Sequence, residues 1–223
     1  MSGLAALVAS CMIAAAQTHG LSPSTLFVIL HIEGGRVGEY SKNTNGTRDL
    51  GPMQVNTIWL PEVARRFNTD RSRAERAMLD DPCVNIETGA WILRGRIDAT
   101  GDVATGIAHY HSATPRFGQA YLRRFHEKAL KIDAALTRSG QIESGRFYRA
   151  AFAPPVGFRQ MPSAAPRMAG ASNGSASVFG SGPMAMSAEA PIRVLPPVFE
   201  GGLAQAMGVD PATRNAGGNR NGR

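Results

Sequence analysis

Residues 43–56 read NTNGTRDLGPMQVN, and this stretch constrains the fold more than any other part of the chain. Its Asn45-Gly46 pair accepts the positive φ angles that tight turns require. The stretch therefore predicts a short β-hairpin. Asp49 follows the turn directly, so the hairpin would carry a carboxylate.

A helix is predicted immediately upstream of this hairpin. Ser22 is a good N-cap residue, and Pro23 suits the first helical position. Apolar residues at positions 26, 27, 29 and 30 supply a packing face, and Gly34 and Gly35 end the helix.

Glu33 is the unusual residue of this helix. It lies three and four positions after Leu30 and Ile29, so it shares their apolar face on the last helical turn. Desolvation and the negative end of the helix dipole would both raise the pKa of its carboxyl group. A raised pKa is what a general acid needs near neutral pH. Taken alone, Glu33 could also be a solvent-exposed glutamate at a helix end.

The rest of the first 150 residues is predicted to be mostly helical. One helix begins near Thr57, and others cover residues 84–97, 103–110 and 117–137. The apolar segment at residues 3–16 is also read as a structural helix, because it is too short to span a bilayer and lacks the basic start of a secretory signal. The fold class is α+β, predominantly α, with one small hairpin, and the sequence leaves the export signal unclear.

The chain beyond residue 149 has a different composition. Nine of the 14 prolines lie there, among runs of glycine, serine and alanine. Such a segment buries too little apolar surface to offset the entropy lost on ordering. We therefore predict a folded domain at residues 1–149 and a disordered tail at residues 150–223.

The net charge of +7 indicates an anionic partner without saying which one. Nucleic acid is not predicted, because the basic residues are scattered and no zinc spacing, basic-aromatic strand or recognition helix is present. The two cysteines, Cys11 and Cys83, are isolated and could form one disulfide or remain buried thiols.

Four motifs in order resemble a known family. Glu33 precedes Asp49 by sixteen residues, residues 51–54 read GPMQ, residues 81–86 read DPCVNI and are followed by Gly89, and residues 108–112 read AHYHS. Over about residues 10–126 the chain resembles the lytic transglycosylases of the lysozyme-like superfamily. It is most similar to those that accompany type III and type IV secretion systems, conjugation machineries and some phages.

This resemblance implies a lysozyme-like fold and an enzyme that cuts the β-1,4 bond between N-acetylmuramic acid and N-acetylglucosamine in peptidoglycan. Glu33 would protonate the glycosidic oxygen and then act as base on the muramic acid C6 hydroxyl, which leaves a 1,6-anhydro end. The enzyme would be periplasmic or secreted. Its partners would be glycan strands and proteins of a secretion or conjugation apparatus.

The resemblance also assigns residues. Gln54 would contact sugar and Tyr110 would hydrogen-bond the catalytic glutamate, with Met53, Asn56 and His111 as further substrate contacts. Cys11 and Cys83 would be bridged, joining the first helix to the DPC segment. Three positions depart from the family pattern: Gly34 replaces a serine, Pro52 a leucine and His111 an asparagine.

Asp49 is a second candidate catalytic residue, since two carboxylates can serve an oxocarbenium-like transition state. Alternatively it only caps the turn. Two rival functions remain, a hydrolytic muramidase on the same fold and a non-catalytic wall-binding assembly module. No cofactor is implied, and no metal site is predicted, because His109 and His111 have no third ligand placed with them.

Overall fold

The computed structural model describes residues 3–159, which form eight α-helices, one 3-10 helix and a small antiparallel sheet. The helices are α1 (Gly3–His19), α2 (Pro23–Glu33), α3 (Leu60–Arg66), α4 (Arg71–Asp80), α5 (Pro82–Thr100), α6 (Val103–His111), α7 (Pro115–Arg138) and α8 (Arg146–Ala151). The strands are β1 (Tyr40–Lys42), β2 (Arg48–Leu50) and β3 (Val55–Asn56), and the 3-10 helix is Thr57–Trp59. The predicted α+β class, predominantly α, is confirmed.

Helix α2 begins and ends as the sequence predicts. The Ser22 hydroxyl accepts a hydrogen bond from the Ser24 N–H, and Pro23 occupies the first turn. Gly34 adopts a left-handed conformation with φ of 61°, and its N–H donates to the Leu30 carbonyl. Glu33 is therefore the last helical residue.

The predicted hairpin is present, and a third strand extends it. Asp49 on β2 pairs with Ser41 on β1 and with Asn56 on β3. The turn closes through a hydrogen bond from the Gly46 N–H to the Asn43 carbonyl, and Gly46 has the positive φ of 82°.

Helix α5 is the centre of the domain. It packs against α1 and α6, and its residues Ile86, Ala90, Leu93 and Ile97 are fully buried. Asp81 caps its start and Gly101 ends it, so the helix is longer than the predicted residues 84–97.

Two helices were not anticipated from the sequence, α4 and α8. Asp70 caps α4. The buried carboxylate of Asp133 on α7 accepts hydrogen bonds from three backbone N–H groups at the start of α8. Helix α8 continues past residue 149, and the Val156 N–H donates to the Gly20 carbonyl, so the folded region includes residues assigned to the tail.

The remainder of the predicted tail, residues 160–223, lies outside the described residues. Within residues 3–159, no helix is both long and apolar enough to cross a membrane.

Candidate active site

Glu33 and a tyrosine from a distant helix form the centre of the site. The Tyr121 hydroxyl on α7 donates a hydrogen bond of 2.6 Å to Glu33 Oε1. Tyr121 is fully buried, which fixes its ring and hence the direction of this donor. The carboxyl group of Glu33 is thus held in one orientation at the end of α2.

The pKa of Glu33 is raised from 4.5 to about 7, chiefly because burial disfavours its charged form. The hydrogen bond from Tyr121 and the positive charge of Arg124 oppose this shift, and the negative charge of Asp49 adds to it. A large fraction of Glu33 is therefore protonated near neutral pH, as a general acid requires. The raised pKa expected from the sequence is confirmed.

The prediction that Tyr110 hydrogen-bonds Glu33 is wrong. The Tyr110 hydroxyl instead donates to the Met53 carbonyl at 2.9 Å, which ties α6 to the hairpin. Burial raises the pKa of Tyr110 well above 10, and the charges of Glu33 and Asp49 raise it further, so the hydroxyl stays a neutral donor. Its single proton is committed to Met53, which leaves Tyr121 as the partner of Glu33.

His111 and Arg124 flank the tyrosine that contacts Glu33. The His111 ring stacks on the Tyr121 ring with centroids 4.9 Å apart and planes 4° from parallel. The Arg124 guanidinium lies 5.5 Å from the same ring. Partial burial and then the charge of Arg124 lower the pKa of His111, against an opposing effect of Asp49, so His111 is mostly neutral at pH 7. The predicted substrate residue His111 is therefore at the site, whereas Arg124 was not anticipated.

The carboxylate of Asp49 is held by two asparagine side chains. Asn43 Nδ2 donates to Asp49 Oδ2 at 2.9 Å, and Asn56 Nδ2 donates to Oδ1 at 2.7 Å. Both amide nitrogens also donate to the Thr47 hydroxyl. The charge of Asp49 also contributes to the raised pKa of Glu33.

The other predicted sugar contacts on the hairpin have structural partners too. Asn56 uses its amide nitrogen on Asp49 and its carbonyl oxygen to cap the 3-10 helix through the Ile58 N–H. Gln54 has a positive φ of 48°, accepts from the Ser41 hydroxyl and donates to the Gly51 carbonyl. These bonds fix the side chains that would line the hairpin wall.

The end of α2 touches the hairpin at Gly35. A Cβ atom on Gly35 would overlap the Gly51 carbonyl and come within 2.5 Å of Gln54 Nε2. Only glycine permits this approach. The segment that follows α2 is thus in direct contact with the turn between β2 and β3, which brings Glu33 and Asp49 to two walls of one site.

Comparison with known proteins agrees with this geometry. Residues 10–132, more than half of the chain, match the family described as "Transglycosylase SLT domain". The chain belongs to this family. Such SLT domains are lytic transglycosylases of the lysozyme-like superfamily, so the protein is an enzyme that cleaves glycosidic bonds in peptidoglycan.

Similar relatives of the SLT domain include the "Invasion protein IagB" of two strains of Salmonella typhimurium and of Salmonella typhi. Each is 24% identical to this chain over 121 residues, which cover 54% of this chain and 72% of the relative.

Met53 lies in the core of the SLT domain and not at the substrate site where the family motif would put it. Its side chain is fully buried, and a Cβ atom on Gly89 of α5 would lie 2.7 Å from the Met53 Cε atom. The prediction that Met53 contacts substrate is wrong, because its side chain fills the space that Gly89 leaves open.

Asn85 of the DPCVNI segment holds the hairpin in place, a role that sequence reasoning missed. Its buried side chain donates to the Leu50 and Met78 carbonyls and accepts from the Met53 N–H, at 2.8–2.9 Å. Loss of a side chain that hydrogen-bonds three buried backbone groups leaves those groups without partners and so lowers the stability of the fold. Its contacts with Leu50 and Met53 anchor the segment that links Asp49 to Gln54.

Cys11 on α1 and Cys83 at the start of α5 form a disulfide, with Cα atoms 4.8 Å apart. This is the pairing that the family resemblance implies. Among residues 3–159, no three histidine, cysteine, aspartate or glutamate side chains are grouped to hold a metal ion.

Proposed function

We propose that this SLT domain cleaves the β-1,4 bond between N-acetylmuramic acid and N-acetylglucosamine and leaves a 1,6-anhydro end. The observation that carries the proposal is the Glu33 carboxyl group, which has a pKa of about 7 and is oriented by Tyr121. A group of that pKa can donate a proton and take one back at neutral pH.

In the proposed first step, Glu33 protonates the glycosidic oxygen while the bond from that oxygen to the muramic acid anomeric carbon breaks. The N-acetylglucosamine unit leaves as an alcohol, and positive charge develops on the anomeric carbon and ring oxygen. The carboxylate of Asp49, which Asn43 and Asn56 hold in place, would stabilise that charge.

In the second step, the C6 hydroxyl of the same muramic acid attacks the anomeric carbon. The hydroxyl proton passes to the Glu33 carboxylate, which restores the acid for the next cycle. No water is consumed, so the products together have the mass of the substrate.

A hydrolytic muramidase is the second candidate, and the presence of Asp49 is the observation that favours it. Two carboxylates at one glycosidic bond also suit an enzyme that passes the sugar to water. Glu33 would then deprotonate a water molecule instead of the C6 hydroxyl.

Mass spectrometry of digested peptidoglycan separates the two. We expect muropeptides whose muramic acid ends are lighter by one water than hydrolysed ends, with no such products from Glu33→Gln protein. Glu143→Gln, the same change at an exposed site, is the matched control. Hydrolysed ends alone would establish the muramidase, and undigested peptidoglycan with folded wild-type protein would favour a non-catalytic assembly module.

We further propose that the enzyme acts in the periplasm or outside the cell and opens the wall locally for a secretion or conjugation apparatus. The similarity to IagB, named an invasion protein, and the net charge of +7 support this. A chromosomal Glu33→Gln substitution should then reduce assembly of that apparatus while protein levels stay normal. Unchanged assembly would contradict this role.

A further inference from the structure

A basic groove begins beside Glu33 and extends away from it between α2 and α7. It has a volume of about 250 Å³. The residues that line it are His31, Ile32, Arg124, Glu127, Lys128 and Lys131. Ile32 immediately precedes Glu33, and Arg124 is close enough for its charge to lower the pKa of Glu33. The groove is therefore adjacent to the site that would hold the reacting sugar.

The positive charges of this groove lie in one row. Arg124, Lys128 and Lys131 are spaced four and three residues apart on α7, so they share one face of the helix. Glu127 is the single acidic residue of the lining. Within residues 3–159, none of the three basic side chains forms a salt bridge, so the groove keeps an excess of positive charge over its one carboxylate.

The side chain at the end of the groove nearest Glu33 is held in place by contacts, whereas in the described part of the chain the side chains at the other end are not held in this way. Arg124 Nη2 lies 3.5 Å from the Ile32 carbonyl, and its guanidinium packs by the Tyr121 ring. Lys128 and Lys131 carry flexible ammonium groups further from Glu33, which suit anionic groups of variable position.

We propose that this groove binds the carboxylates of the peptide stem on the muramic acid next to the bond that is cleaved. The proposal rests on the proposed function, because peptidoglycan muramic acid carries a short peptide with several free carboxylates. A groove that lies beside the acid and carries three cations against one carboxylate, that of Glu127, matches that chemistry in charge and position. The groove would thus make the enzyme prefer glycan strands that still bear their peptides.

The test compares soluble glycan strands that bear peptide stems with the same strands after an amidase has removed the stems. In the double variant Lys128→Gln, Lys131→Gln, we expect the KM for stem-bearing strands to rise between about twofold and thirtyfold, from the loss of two solvent-exposed ion pairs. The kcat should be unchanged, and the KM for stem-free strands should be the same as that of wild type.

The matched control is Arg123→Gln, Arg138→Gln, which removes the same charge from exposed positions of the same helix outside the groove. It should leave both KM values unchanged. An equal rise of KM on both kinds of strand, an equal rise in the control, or no rise at all would each overturn the proposal.

Binding measured in a Glu33→Gln background separates this inference from the proposed function. If wild-type protein cleaves neither substrate, the proposed function fails. The Kd of the Glu33→Gln protein then still tests whether the groove binds peptide stems. Weaker binding of stem-bearing strands after the lysine changes supports the inference. Equal Kd values with and without the lysines contradict it.

Discussion

The two walls of the site carry the same functional group in contrasting surroundings. Glu33 ends a helix, is partly buried, and receives one hydrogen bond from Tyr121. Asp49 lies on a strand between two asparagine amides that both donate to it. Burial favours the neutral carboxyl on the helix wall, whereas the amide donors on the hairpin wall solvate a negative charge.

The difference shows how one fold obtains an acid and an anion from similar side chains. The surroundings of each carboxyl group favour a different role, so roles can be assigned before any substrate is seen. The comparison also makes each wall separately testable.

Glu33→Gln should have the largest effect. The amide keeps an oxygen for Tyr121 but cannot donate the catalytic proton, so kcat should fall by roughly 10²–10⁴-fold. Steady-state release of muropeptides measures the loss, with Glu143→Gln as control. A folded Glu33→Gln protein with normal turnover would contradict the assignment of the acid.

The same variant should be more stable than wild type at high pH. The pKa of Glu33 is higher in the folded protein, about 7, than its ordinary 4.5, so the stability it contributes is complete below pH 4.5 and is lost as pH rises through 7. Glutamine avoids this loss. Its free energy of unfolding should exceed that of wild type by up to about 3 kcal/mol at pH 8 and match it at pH 4, which urea titrations would show.

Asp49→Asn tests the hairpin wall. If the negative charge stabilises the transition state, kcat should fall by about 10²–10³-fold, by analogy with the loss of one stabilising donor. Asp80→Asn makes the same change at an exposed residue and should have no effect. A near-normal kcat in folded Asp49→Asn protein would reduce Asp49 to a turn residue and leave a single-carboxylate mechanism.

Reduction of the disulfide should lower the free energy of unfolding while leaving the surroundings of Glu33 and Asp49 unchanged. The bridge between Cys11 and Cys83 closes a loop across 72 residues. Its loss should cost roughly 2–4 kcal/mol of unfolding free energy, which thermal unfolding with and without reductant would measure. Because Asn85, not the bridge, anchors the hairpin, kcat of the reduced, folded protein should be retained.

Tyr121→Phe should produce the smallest change. In wild-type protein the hydrogen bond from Tyr121 lowers the pKa of Glu33, so the variant that lacks this bond should have a higher Glu33 pKa. Activity declines as pH rises through the pKa of the acid, and this decline should move to higher pH in the variant. A pH profile of kcat gives the result, and Tyr110→Phe, which removes a hydroxyl that contacts Met53 instead, is the control.

The sequence was sufficient for the local features of the site. Capping by Ser22, the glycines after Glu33 and the Asn-Gly turn depend on neighbouring residues, so α2 and the hairpin follow from local rules. The family resemblance supplied the fold and the class of enzyme.

Contacts between distant elements could not be predicted in the same way. The AHYHS motif predicts Tyr110 as the partner of Glu33, but packing of α7 brings Tyr121 there instead. A signal did exist: Tyr121, Phe125 and Ala129 form the buried face of α7, and a buried tyrosine hydroxyl needs a partner. Met53 was likewise placed by its motif, although Gly89 directs its side chain into the core.

The pKa of Glu33 itself tests the central claim most directly. Carbon-13 NMR of the side-chain carboxyl groups, recorded across pH in wild-type and Glu33→Gln protein, identifies the Glu33 signal as the one that disappears. We predict a titration midpoint of about 7, as burial at the end of α2 requires. A midpoint near 4.5 would show an ordinary, ionised glutamate and would contradict its role as the catalytic acid.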